Sequence, residues 1–122
     1  MEILKKYKPW AAKAQSWDYI ENRYLTDFGN YHFRFVELVK HIKSSGLSNR
    51  LYGSTSMDKL VISIYEELDY RKEALHITFD LVQEKWHFEY FALPFQTPEF
   101  VRTYSADKGI EKLENFIKAI NW

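Results

Sequence analysis

Three stretches of the chain alternate strictly between two sets of positions. Residues 59–65 set Leu60, Ile62 and Ile64 against Val61, Ser63 and Tyr65. Residues 74–81 set Leu75, Ile77, Phe79 and Leu81 against His76, Thr78 and Asp80. Residues 85–92 set Trp86, Phe88 and Tyr90 against His87, Glu89 and Phe91. Period-two alternation rich in β-branched and aromatic residues predicts half-buried strands. One set is apolar in all three, so the strands predict an antiparallel meander with one covered side.

Toward both ends the pattern changes to spacings of three and four. Trp10, Ala14, Trp17, Glu21, Tyr24, Leu25 and Phe28 predict an amphipathic helix over 10–28, with Pro9 just before it and Gly29 as its stop. Phe35, Leu38, Val39 and Ile42 predict a second helix, capped by Asn30 and closed by Gly46. The joint at Gly29–Asn30 makes a helical corner, with one kinked helix as the competing form. Ile110, Leu113, Ile117 and Ile120, thickened by Phe116 and Trp122, predict a C-terminal helix with Ser105 as N-cap.

Between these elements the signals are weaker. Residues 44–57 are turn-rich, with Leu51 and Tyr52 as a short strand. Residues 66–73 read as a mildly acidic hairpin loop, in its plainest form an ordinary solvated one. Pro94 and Pro98 predict an extended loop or ragged edge, with a short further strand at 99–104. The element order predicts an α+β fold: two N-terminal helices, an antiparallel meander of three to five strands, and one C-terminal helix. The helices are expected on one face of the sheet, in a single domain spanning residues 1–122.

Composition narrows the function. The 122 residues include nine Phe, nine Tyr and four Trp but only four Gly and three Pro, which fits one folded domain with a large core. With no cysteine, disulfides, thiolate chemistry and cysteine-based zinc sites are excluded. No signal peptide or membrane-spanning run is legible, so a soluble, cytoplasmic protein is expected. Seventeen basic residues balance seventeen acidic ones. Residues 1–50 hold nine Lys/Arg against five Asp/Glu, and residues 51–122 hold eight against twelve. Neither half has the basic excess of a nucleic-acid binder.

The candidate chemistry lies on the second face of the sheet. With a turn at Gln83–Glu84, Asp80 would face His87, Thr78 would face Glu89, and Phe79 would face Phe88. Asp80 and His87 would then be direct neighbours, with Cβ atoms roughly 4.5 to 5.5 Å apart. His76, Asp80, His87 and Glu89 are the residue types that bind zinc, manganese or iron, and a histidine oriented by an aspartate is an ordinary general base. No HExxH motif, phosphate loop or nucleophile elbow supports an enzyme, and no motif ties the chain to a family. The simplest reading of such a face is a solvated surface crossed by an ion pair.

Exposed Tyr65 and Phe91 beside these charges have the composition of an interface. The sequence thus predicts a protein-interaction module, of the inhibitor or immunity type, with Tyr65, Asp80, His87, Glu89 and Phe91 as its contacts. Its partner would be another protein or a second copy of the chain, with no cofactor, nucleic acid or membrane involved. The alternative is a small-ligand-binding or metal-dependent enzyme built on the Asp/His/Glu cluster.

Overall fold

The computed structural model describes residues 11–27, 32–69, 72–93 and 97–122. The expected helix start at Pro9–Trp10, the joint at Gly29–Asn30 and Pro94 lie outside the described residues. The fold is α+β. Two N-terminal helices and one C-terminal helix pack against a five-stranded antiparallel sheet.

The five strands are β2 (Tyr52–Ser56), β3 (Lys59–Ser63), β5 (Ala74–Asp80), β6 (Lys85–Phe91) and β7 (Phe100–Ser105), hydrogen-bonded in the order β2-β3-β5-β6-β7. The helices are α1 (Trp17–Asn22), α2 (Phe33–Ser44) and α3 (Gly109–Ile120). Two short strands, β1 (Ala11–Lys13) and β4 (Glu67–Asp69), form a separate antiparallel pair.

The apolar set of each strand faces the helices, as alternation requires. Leu60, Ile62, Leu75, Ile77, Trp86 and Phe88 are essentially inaccessible, and they meet Phe35, Leu38, Val39 and Ile42 of α2 and Leu113 and Ile117 of α3. Trp86 lies at the centre. Its ring meets Phe35 and Phe79, each with centroids 4.9 Å away, and its indole N–H donates to the Ala106 carbonyl at 2.9 Å. That bond satisfies a polar atom that burial would otherwise penalise. His41 of α2 meets Glu114 of α3 at 2.7 Å and ties the two helices together.

Several expectations change. The first helix begins at Trp17, not Trp10, because Ser16 caps it by accepting the Tyr19 N–H at 3.1 Å, while Ala11–Lys13 pairs with β4. Ile20 and Tyr24 are buried, and a π-type turn over Arg23–Asp27 shifts the phase of the residues that follow, with Leu25 49% exposed. The segment Tyr52–Ser56 is an edge strand rather than a run of turn residues, and the loop 66–73 contains β4. Gln15 explains why so polar an edge strand holds. Its N–H donates to the Gly53 carbonyl at 2.9 Å, and its side-chain oxygen accepts from the Thr55 N–H at 2.9 Å and hydroxyl at 3.1 Å. Strands β3 and β5 also end earlier than the alternation suggests, leaving Ile64 and Leu81 exposed.

Candidate functional site: the open face of the sheet

The sheet face turned away from the helices carries a second set of side chains in cross-strand rows. One row runs Ser54, Val61, His76, Glu89, Val101. The next runs Thr78, His87, Thr103, and the row at the opposite end of the face pairs Ala74 with Phe91. Among the described residues no helix covers this face, and its β5 and β6 side chains are half-buried or exposed.

The expected face is correct but the expected register is not. Asp80 pairs with Lys85, Thr78 with His87, His76 with Glu89, and Phe79 with Trp86. The partner positions are displaced by two residues, which preserves the face and changes every neighbour. The cause is the turn. Asp80 accepts hydrogen bonds from the Val82 and Gln83 N–H groups at 2.9 and 3.0 Å, and Glu84 adopts φ 51° to close a four-residue loop. An aspartate binding its own backbone two and three residues on is strong local chemistry, and it outweighs the two-residue turn that Gln83–Glu84 lacks the residues to form. Asp80 is thereby committed to the turn and is not the neighbour of His87.

The remaining polar groups form two contacts. His87 Nε2 lies 3.4 Å from Glu89 Oε1, two residues along the same strand face. His76 stands on the other side of Glu89. Its Nδ1 faces the Lys59 ammonium at 3.4 Å, and its ring meets Phe91 at a centroid distance of 4.6 Å. An ammonium can only donate, so His76 Nδ1 is the acceptor and its proton sits on Nε2. Burial lowers the His76 pKa to about 4, with the Lys59 charge acting in the same direction. His76 is therefore neutral near pH 7.

This arrangement disfavours the metal reading. Lys59 places a positive charge against one candidate ligand and the turn engages another. Among the described residues, no three His, Asp or Glu side chains gather in a way that would hold a metal ion. His87 and Glu89 have the geometry of a proton-transfer pair, but among the described residues neither side chain hydrogen-bonds a serine or threonine.

Tyr65 takes a different place from the one expected. Its hydroxyl donates to Glu73 Oε1 at 3.4 Å, and Tyr90, from the helix-facing set, donates to Glu73 Oε2 at 2.5 Å. Tyr65 thus belongs with Glu73 and Tyr90 at one end of the sheet. Ser63, on the outer set by parity, is buried and donates to the Glu73 carbonyl at 2.9 Å.

Strand β7 contributes residues that sequence reasoning passed over. Val101 and Thr103 extend the rows of Glu89 and His87, and both are exposed. The short further strand expected at 99–104 is present, and its alternation of Phe100, Arg102 and Tyr104 against Val101, Thr103 and Ser105 was the signal for which residues join the open face. Beside Thr103, His87, Thr78, Lys85 and Gln83 border a shallow concavity of about 400 Å³.

Fold and face together define a small α+β domain with helices on one side of its main sheet and an open, mixed aromatic-polar surface on the other. No protein-family model, curated protein or solved structure matches the chain. No helix among the described residues is long and apolar enough to cross a membrane.

Proposed function

We propose that this chain is a protein-interaction module that docks a partner protein on the open face of its sheet. The observation that carries the reading is the sidedness of the fold. All three helices lie on one face, and the other presents Phe91, His76, Val101 and Thr103 around the His87–Glu89 pair. Aromatic and apolar side chains interspersed with polar ones, as on this face, are a composition found at protein interfaces. The zero formal charge argues against nucleic acid as the partner. An inhibitor or immunity-type role in the cytoplasm fits the size, the absence of cysteine and the lack of an assembled catalytic group among the described residues.

The test is a matched pair of charge insertions. Phe91→Arg alters the open face at a half-exposed position, and Lys40→Glu alters the exposed outside of α2. The reading predicts that Phe91→Arg abolishes formation of a stoichiometric complex with a purified partner, with the melting temperature nearly unchanged, while Lys40→Glu leaves the complex intact. Equal binding by both variants contradicts it.

A further inference from the structure

A second concavity lies on the helix side of the sheet, where α3 crosses β7. Its volume is about 440 Å³, within the range of small-molecule pockets. Four aromatic rings form its walls: Tyr90, Phe100, Tyr104 and Phe116. They are braced against one another rather than loose. Tyr90 and Phe116 have centroids 5.4 Å apart, and Phe100 and Phe116 are 5.9 Å apart. Tyr104 sits edge-on to Phe88 at 5.2 Å. Walls fixed in this way are preorganised, so a flat guest would not have to order them on binding.

Two charged side chains stand at the mouth. Lys112 of α3 is half-buried, with its ammonium 5.4 Å above the Tyr104 ring. The carboxylate it pairs with, Glu111, is 3.9 Å away and more than half exposed, which leaves the cation weakly neutralised. Glu99 also borders the cleft and, with Glu73, whose carboxylate accepts from the Tyr90 hydroxyl, places negative charge at the Tyr90 end. The charges are thus divided along the cleft, and a negative group is favoured at the Lys112–Tyr104 end, away from Glu99 and Glu73, with aromatic surface between.

We infer that the cleft between α3 and β7 is a binding site for a small aromatic carboxylate, with the ring held between Phe100, Phe116 and Tyr104 and the carboxylate paired with Lys112. The site is on the opposite side of the sheet from the proposed partner surface and stands independently of it. Asn115, next to Lys112 along the cleft wall, offers an amide N–H to the same anion.

The test uses 1-naphthoate, its neutral counterpart 1-naphthamide and cationic 1-naphthylmethylammonium, each titrated into the full chain and followed by amide chemical shifts. The expected result is saturable one-to-one binding of naphthoate below about 1 mM, with shifts centred on α3 and β7. Lys112→Met should weaken naphthoate about tenfold, the effect of losing a charge-assisted hydrogen bond, and leave naphthamide unchanged. Ala119→Trp, at an exposed position on the cleft wall, should fill the cleft and remove binding of both. The inference is overturned by tighter binding of the cation, by shifts centred elsewhere, by the absence of saturation, or by a naphthoate affinity indifferent to Lys112→Met. None of these four outcomes depends on Ala119→Trp folding.

Discussion

His76 shows how one side chain on an open sheet face acquires a definite protonation state. Phe91 and its strand neighbours withdraw the ring from water, and Lys59 stands against Nδ1, so both effects penalise the imidazolium. With its pKa lowered to about 4, it stays neutral when folded while an unfolded histidine titrates near 6.5. Between those values the unfolded chain binds a proton that the folded chain does not. Stability from this source is fully present above about pH 6.5 and is lost as pH falls toward 4. Burial also lowers the His32 pKa, in the same sense, the ring lying between Tyr24 and Phe35 at the start of α2. Urea unfolding at pH 7 and pH 5 should therefore show a drop in stability. His76→Gln should shrink that drop by about 1 kcal/mol, the scale of a partly realised proton linkage. A drop of the same size in the variant would show that His76 titrates normally.

At the scale of elements, the close approach of α3 to the sheet rests on one glycine. Gly109 has an ordinary helical φ of −57°, so its backbone does not require glycine. The Trp86 indole requires it, because a methyl group at residue 109 would collide with the ring. Gly109→Ala should thus destabilise the fold by about 1–3 kcal/mol through overpacking, although alanine is the better helix former by about 1 kcal/mol. Thermal or urea melting checks the sign. A more stable variant would mean that Trp86 moves aside freely. A similar contact occurs at Gly53, where an added Cβ would stand 2.6 Å from the Trp17 ring.

The same scale shows what was legible in the sequence. Periodicity placed β5, β6, α2 and α3 because each buries a regular stripe, and tertiary packing rewards the stripe that alternation displays. It placed α1 wrongly because two events leave no periodic mark: a cap at Ser16 and a π-type turn that rotates the later residues. Strand β2 was obscured because its residues are small and polar and carry no apolar alternation, and its outer edge is engaged by Gln15, a residue 40 positions from Thr55. The hairpin register was lost by two residues because Asp80 was read as a face residue, while its carboxylate binds the turn. For the candidate site, parity alone was enough to put His76, Thr78, His87, Glu89 and Phe91 on one face. Which of them touch was decided by turn chemistry. Tyr65 was misplaced because β3 ends at Ser63 and the alternation carries no further.

The whole molecule is two-sided, and the proposed function rests on that. Its helix side is a packed core with an aromatic cleft beside α3, and its open side is a nearly continuous surface from Ser54 on β2 to Val101 on β7. Partner docking on the open face would leave the cleft accessible, so the two sites can be tested separately. The most direct measurement is photo-crosslinking in the native cell, with a photoreactive residue placed at Thr103 on the open face or at Lys118 on the outside of α3, both exposed. Docking through the open face predicts a covalent adduct of one defined mass from position 103 and none from position 118. An adduct at twice the chain mass would identify the partner as a second copy. Adducts from position 118 alone, or from neither position, would contradict the account.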